Sequence, residues 1–227
     1  MKIQFFFLTF IAFIMIRSEN FRFPSRNENV SSEKWEPVRN SDGVQTYVRW
    51  IETRTGIKTL ERKGEMIIDC TVGDATDILT DTRASAIWMT NVKESFELKR
   101  LNPYEWFTYT LFNIPWPFEN RDLVSYLTMK TSPENGNANI SIVSKEELIP
   151  CKSRITRLTD YIANWSIVRI DNSRIKITFT AVSCSPPAFP RWIQDPIVEN
   201  MFHNNLINLK AYILLNKGRN SQISYQR

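Results

Sequence analysis

His203 is the only imidazole among 227 residues, and Cys70, Cys151 and Cys184 stand far apart with no CxxC pair. Zinc sites need several nitrogen or sulfur ligands at close, paired spacings, so these residues call for no metal. A serine-nucleophile triad would have to use His203, and no GxSxG elbow exists to hold the serine. His203 therefore reads as a surface residue of a helix. Glu65, Asp77, Asp81 and Glu105 are scattered, and no spacing among them supports paired acid–base work. No enzyme and no cofactor is expected. The three thiols read as buried in strands, with a Cys151–Cys184 bridge as the alternative in an exported chain.

The residues that remain are suited to enclosing something apolar. From Trp106 to Asp122 the chain reads WFTYTLFNIPWPFENRD, an apolar strand, a Pro-Trp-Pro corner and an Arg-Asp pair opening another strand. Pro115 and Pro117 fix φ and remove amide donors, so the strand must leave its sheet near Asn113 and present Trp116 at a corner. Phe107, Tyr109 and Leu111 share one face of the strand; Trp106 and Phe112 share the other. Alternation alone does not choose which face is cavity wall, and the first three are taken as candidates. Arg121 either lines the cavity or joins Asp122 in pinning the loop through charge-assisted hydrogen bonds. Trp165, Phe179, Met201, Phe202 and Asn205 complete the candidate lining, against the plainer reading that all are ordinary core.

The positioning elements follow from periodicity. Val44, Thr46, Val48 and Trp50 alternate with polar residues as in a half-buried strand, and an extended stretch from Ile57 to Cys70 pairs with it as a hairpin. Val72, Ala75, Ile78 and Leu79 recur at helical spacing, with a break at Asp81 and a second short helix through Trp88. Strands then run from 92 to 101, 105 to 113, 121 to 131, 138 to 147, 155 to 170 and 174 to 184, separated by Asn102-Pro103, Pro133 to Gly136 and Asp171 to Ser173. Pro190 to Leu215 closes the chain as a helix or bent helix, with Asp195-Pro196 as N-cap and first position and 190–194 as a separate turn. The domain spans 33–215, followed by a basic tail, 216–227.

Ahead of it, Lys2 and an apolar run from Ile3 to Ile16 form a signal-peptide layout over residues 1–20, with an uncleaved anchor or a buried helix as alternatives. A polar linker occupies 21–32. The expectation is export to a periplasm or the outside. Asn29, Asn139 and Asn164 fit the glycosylation sequon. A net charge of +5 with no basic stripe excludes a nucleic-acid binder and allows only transient contact with a membrane surface. A monomer is expected.

Five motifs in order carry a resemblance: Asp42 to Val44, the strand Ile57 to Met66, WMTNV at Trp88 to Val92, PWPFENRD at Pro115 to Asp122, and FPRW at Phe189 to Trp192. Together they resemble the START family of lipid-transfer domains, within the Bet v 1-like helix-grip superfamily, over roughly Trp35 to Leu215. The resemblance implies an α+β helix-grip fold: a curved antiparallel sheet around a long C-terminal helix, with two short helices after the first hairpin. It also implies one lipid in an internal tunnel, with the Pro-Trp-Pro loop and the helix as lid. Sterol carriers of the family place a second arginine six residues beyond the first, where this chain has Leu127. The glycine pair common before the final helix is replaced by Pro186-Pro187-Ala188. Alternatives in other classes are a cyclase-like enzyme of the superfamily and a filled-core interaction module.

Overall fold

Asp42 and Gly43 both take positive φ, 54° and 71°, the geometry of a two-residue hairpin turn. The turn joins β1 (Glu36–Ser41) to β2 (Val44–Glu52), with Ser41 opposite Val44. In this computed structural model the described residues are 33–52, 56–114, 119–184 and 190–218. The expected leader and linker, the Pro-Trp-Pro corner with Trp116, the Pro186-Pro187-Ala188 stretch and the chain after Gly218 lie outside them.

β1 is not legible in the sequence, because EPVRNS has no apolar alternation and is exposed along nearly its whole length at a sheet edge. β3 (Lys58–Ile68) pairs antiparallel with β2. Thr71 then stops the extended chain. Its hydroxyl accepts from the Asp74 amide while the Asp74 carboxylate accepts from the Thr71 amide, a reciprocal cap worth about 1 kcal/mol. The helix it opens, α1 (Val72–Thr80), ends at Asp81 as expected, and α2 (Ser85–Trp88) follows.

Six of the remaining seven strands run antiparallel to their neighbours: β4 (Val92–Asn102), β5 (Glu105–Phe112), β6 (Asn120–Thr131), β7 (Ala138–Ser144), β9 (Tyr161–Arg169) and β10 (Ile175–Ser183). The expected single strand from 155 to 170 is two. β8 (Ile155–Arg157) pairs parallel with β6, and the chain breaks before β9 at Asp160, where φ is 49°. The sheet order is β1-β2-β3-β10-β9-β7-β6-β5-β4. The N-terminal three strands are thus joined to the last strand, and α1 and α2 carry the chain from β3, inside the sheet, to β4 at its far edge.

α3 (Arg191–Asn216) is one continuous helix with Pro196 inside it, which corrects the expected break at Asp195. The Asp195 carboxylate does not cap; it pairs with Arg62 at 3.4 Å and Arg191 at 3.7 Å. α3 packs on β2, β3, α1 and α2. Its approach is set by Gly64 in β3: a Cβ there would collide with Leu206 Cδ1 and come within 3.3 Å of Phe202. Among the described residues no helix is long and apolar enough to cross a membrane.

Two apolar clusters separate the faces of the sheet. The larger brings Leu206, Leu209 and Ile213 of α3 together with Val44, Met66, Ile177, Trp165, Leu127 and Trp106, and defines the inner face. The smaller holds Tyr109, Leu111 and Val124 with Phe96, Leu98, Ile149 and Ile155, on the opposite face. Successive side chains of a strand point to opposite faces, so the assignment of Trp106 and Leu127 fixes every other position of β5 and β6.

Candidate functional site

Trp106 faces Leu127, Thr108 faces Ser125, Thr110 faces Leu123 and Phe112 faces Arg121 across the β5–β6 ladder, and by alternation all eight lie on the inner face. Trp106, Thr108, Leu123, Ser125 and Leu127 are buried. The aromatic run continues across the sheet. Trp165 stacks on Phe179 at 3.9 Å between centroids, and Phe179 on Phe202 of α3 at 5.6 Å; Trp88 of α2 meets Trp165 edge-on at 6.4 Å. Trp165, Phe179 and Phe202 are therefore brought together at the helix–sheet junction.

Past Trp106 and Leu127 the inner face changes character. Leu123 is buried but belongs to neither apolar cluster. Around it stand the hydroxyls of Thr108, Thr110 and Ser125, with Ser95 Oγ 3.2 Å from Thr110 Oγ1. This end of the wall carries an apolar residue, hydroxyls, Phe112 and the cation of Arg121. The loop that leaves it is fastened at its base, where the Ile114 amide donates to Asn120 Oδ1 at 3.0 Å.

Several expected site residues are elsewhere. Phe107, Tyr109 and Leu111 lie on the outer face: Phe107 stacks on Tyr126 at 4.9 Å, and Tyr109 and Leu111 sit in the smaller cluster under the 149–155 segment. They are corrected from cavity wall to outer core. Asn205 is tied through its Oδ1, which accepts from both the amide and the hydroxyl of Thr90 at 3.0 Å. Met201 Sδ accepts from Asn91 Nδ2 at 3.6 Å. Both residues fasten the turn after α2 to α3. Trp116 is outside the described residues.

The Arg121–Asp122 pair also divides. Asp122 points outward and takes Arg157 in a bidentate pair at 3.0 and 2.8 Å, both side chains almost fully buried. Arg157 donates further to the carbonyls of Glu146, Ile149 and Pro150, and so ties the 146–150 segment over the outer cluster. This salt bridge raises the pKa of Arg157. Arg157 had no signal in the sequence beyond its charge, because its partner is 35 positions away. Arg121, one residue before Asp122, faces inward with no ion pair among the described residues, and burial alone lowers its pKa.

His203 is not a surface residue. It is fully buried against β1, with Nε2 2.8 Å from Ser41 Oγ, and burial first, then Arg39, pushes its pKa down. It belongs to a polar seam along α3. Thr46 donates to Glu199, Arg62 pairs with Asp195 and Glu199, Arg39 donates to Asn200, and Lys210 donates to the Asp42 carbonyl. The cysteines are free thiols and differ in setting: Cys70 is buried just after β3, Cys151 is exposed in a loop, and Cys184 is half-buried after β10. The expectation of three thiols buried in strands is corrected, and no bridge joins them. Among the described residues no group of three metal-ligating side chains converges.

No protein-family model matches the chain. It is 22% identical over 183 residues to an uncharacterized protein of Pseudomonas aeruginosa, covering 81% of this chain and 88% of the relative. Among solved structures it is similar to a STAR-related lipid transfer protein of Xanthomonas axonopodis, at TM-score 0.70 and 24% identity over 80% of this chain and 99% of the other. It is similar also to human StAR-related lipid transfer protein 5, at TM-score 0.67 and 15% identity, covering 80% and 86%. A Streptomyces aromatase/cyclase superposes at TM-score 0.50 and 9% identity, covering 69% and 94%. The ten-stranded sheet, antiparallel except where β8 joins β6, gripped on one long C-terminal helix is the START helix-grip fold.

Proposed function

We propose that the protein binds one lipid, or a similarly apolar molecule, against the inner face of β5 and β6 and carries it through water. The observation that carries this reading is the composition of that wall beyond Trp106 and Leu127, where Phe112, Leu123, Thr110 and Arg121 follow one another outside both apolar clusters. The fold shared with lipid-transfer proteins supports it. The driving force is burial: at about 0.8 kcal/mol per CH₂, a chain of about a dozen methylenes gains several kcal/mol on leaving water. Contact with a membrane is transient. The N-terminal layout of the sequence supports export.

A cyclase-like enzyme would need ionisable groups converging on the cavity. Arg121 faces inward, Asp122 outward to Arg157, Glu105 is bonded by Asn102 at the β4–β5 turn, and His203 faces Ser41. These four are dispersed, which favours carriage over catalysis. The filled-core alternative draws on the Trp165–Phe179–Phe202 stack, which occupies the helix–sheet junction.

The test is native mass spectrometry of the protein purified from a lipid-rich lysate, followed by organic extraction. A stoichiometric apolar ligand is the expected result. An empty protein that also fails to take up fluorescent fatty acids, phospholipids and sterols would overturn the reading.

A further inference from the structure

Among the described arginines that are at least half-buried, each is engaged except one. Arg49 pairs with Glu61, Arg62 with Asp195 and Glu199, Arg157 with Asp122, and Arg191 donates to the Lys58 carbonyl and pairs with Asp195. Arg83, Arg154 and Arg169 are exposed and need no partner. Arg121 is partly buried, on the inner face, and no hydrogen bond or ion pair engages its guanidinium among the described residues. Of the acidic residues beside it in sequence, Asp122 points outward to Arg157, and Glu119, just before β6, accepts from the Thr156 hydroxyl at 2.9 Å. Burial lowers the Arg121 pKa with no charged neighbour contributing.

A guanidinium partly withdrawn from water and without an anion is a ready site for one that arrives from outside. Its fork of donors matches the two oxygens of a carboxylate or phosphate. Arg121 stands at the start of β6, at the end of the wall farthest from Trp106, with Phe112 opposite it and Thr110 and Leu123 next along the ladder. An amphiphile can therefore lie with its charged end at Arg121 and its chain running inward toward Trp106.

We propose that the cargo carries an anionic head group, carboxylate or phosphate, and that Arg121 is its anchor. This rests on the carrier reading above. The head is fixed by a bidentate charge-assisted pair, and the chain contributes apolar burial without recognising its own chemistry.

The full chain and its Arg121→Gln and Arg121→Lys variants are titrated with two matched fluorescent pairs. One pair is cis-parinaric acid and the corresponding fatty alcohol; the other is a fluorescent phosphatidic acid and the diacylglycerol with the same chains. The expected result is that wild type prefers the anionic member of at least one pair by about tenfold or more. Arg121→Gln then binds both members equally while keeping its affinity for the neutral one, and Arg121→Lys keeps part of the preference. The pair that discriminates identifies a fatty carboxylate or a phospholipid phosphate as the source. Equal binding of both members by wild type, or a preference that survives Arg121→Gln, overturns the anchor and leaves the carrier reading standing. Failure of every probe, neutral ones included, overturns both.

Discussion

Arg121 and Asp122 are adjacent in sequence, yet opposite consequences are expected from removing them. Asp122 and Arg157 are almost wholly buried, joined by bonds of 3.0 and 2.8 Å, and Arg157 also holds three carbonyls of the 146–150 segment. Asp122→Ala leaves the guanidinium buried with carbonyl partners only, and breaking a buried pair in this way costs about 3–5 kcal/mol. Arg121→Gln removes a partly desolvated charge that has no ion pair among the described residues, so its effect is within about 0.5 kcal/mol of zero, with any gain on the stabilising side. The assay is urea denaturation of the ligand-free full chain, comparing midpoints at constant m-value. Asp122→Ala combined with Arg157→Ala closes a double-mutant cycle, in which the two costs are expected to be strongly non-additive. If Arg121→Gln destabilised as much as Asp122→Ala, the division of the two side chains between opposite faces would be wrong.

Gly64→Val places a side chain where Leu206 and Phe202 already sit, so overpacking of about 1–3 kcal/mol is expected in a thermal melt, partly relieved by adding Leu206→Ala. His203 is held below its ordinary value of about 6.5, so the folded chain binds fewer protons than the unfolded chain as pH falls below that value. Stability is therefore full above about pH 6.5 and declines through that value toward the lower folded pKa; melts between pH 5 and 7.5 should lose this slope in His203→Gln. Arg39 and Asp42 flank the imidazole and oppose each other in its titration. Burial pushes the Cys70 thiol up to about 11 and raises Cys184 as well, whereas Cys151 is exposed. A thiol reagent at pH 8 should modify Cys151 first, Cys184 more slowly and Cys70 only on unfolding.

Elements with strong periodicity were legible: the hairpin after Asp42-Gly43, the two short helices, and the alternation of β5 and β10. What escaped were features that depend on distant partners or on weak pattern. β1 and β8 are short or polar and owe their existence to the strands beside them. The continuous α3 crosses Pro196 because Asp195, which would cap a helix beginning there, is engaged by Arg62 from β3. At the candidate site Trp165, Phe179 and Phe202 could each be named as lining or core from the sequence, but not their stacking, which joins two strands to the helix. The choice of face for β5 was not legible, because both of its faces are buried and only the cross-strand contact of Trp106 with Leu127 settles it. Neighbours in a strand point to opposite faces, so Arg121 and Asp122 serve different faces of the sheet. Asn205 on an apolar helix face likewise needed a partner, and the backbone of Thr90 supplied it.

The place of β10 in the sheet governs when the molecule can assemble. β3 has β2 on one side and β10 on the other, with Ile68 opposite Ile175, about a hundred residues later in the chain. While the polypeptide emerges from a ribosome, β3 offers an unsatisfied row of amides and carbonyls until almost the whole domain has been synthesised. Native closure is therefore a late, post-translational event. A chain stopped before β10 would lose α3 as well and retain two sheet fragments with sticky borders, an invitation to self-association.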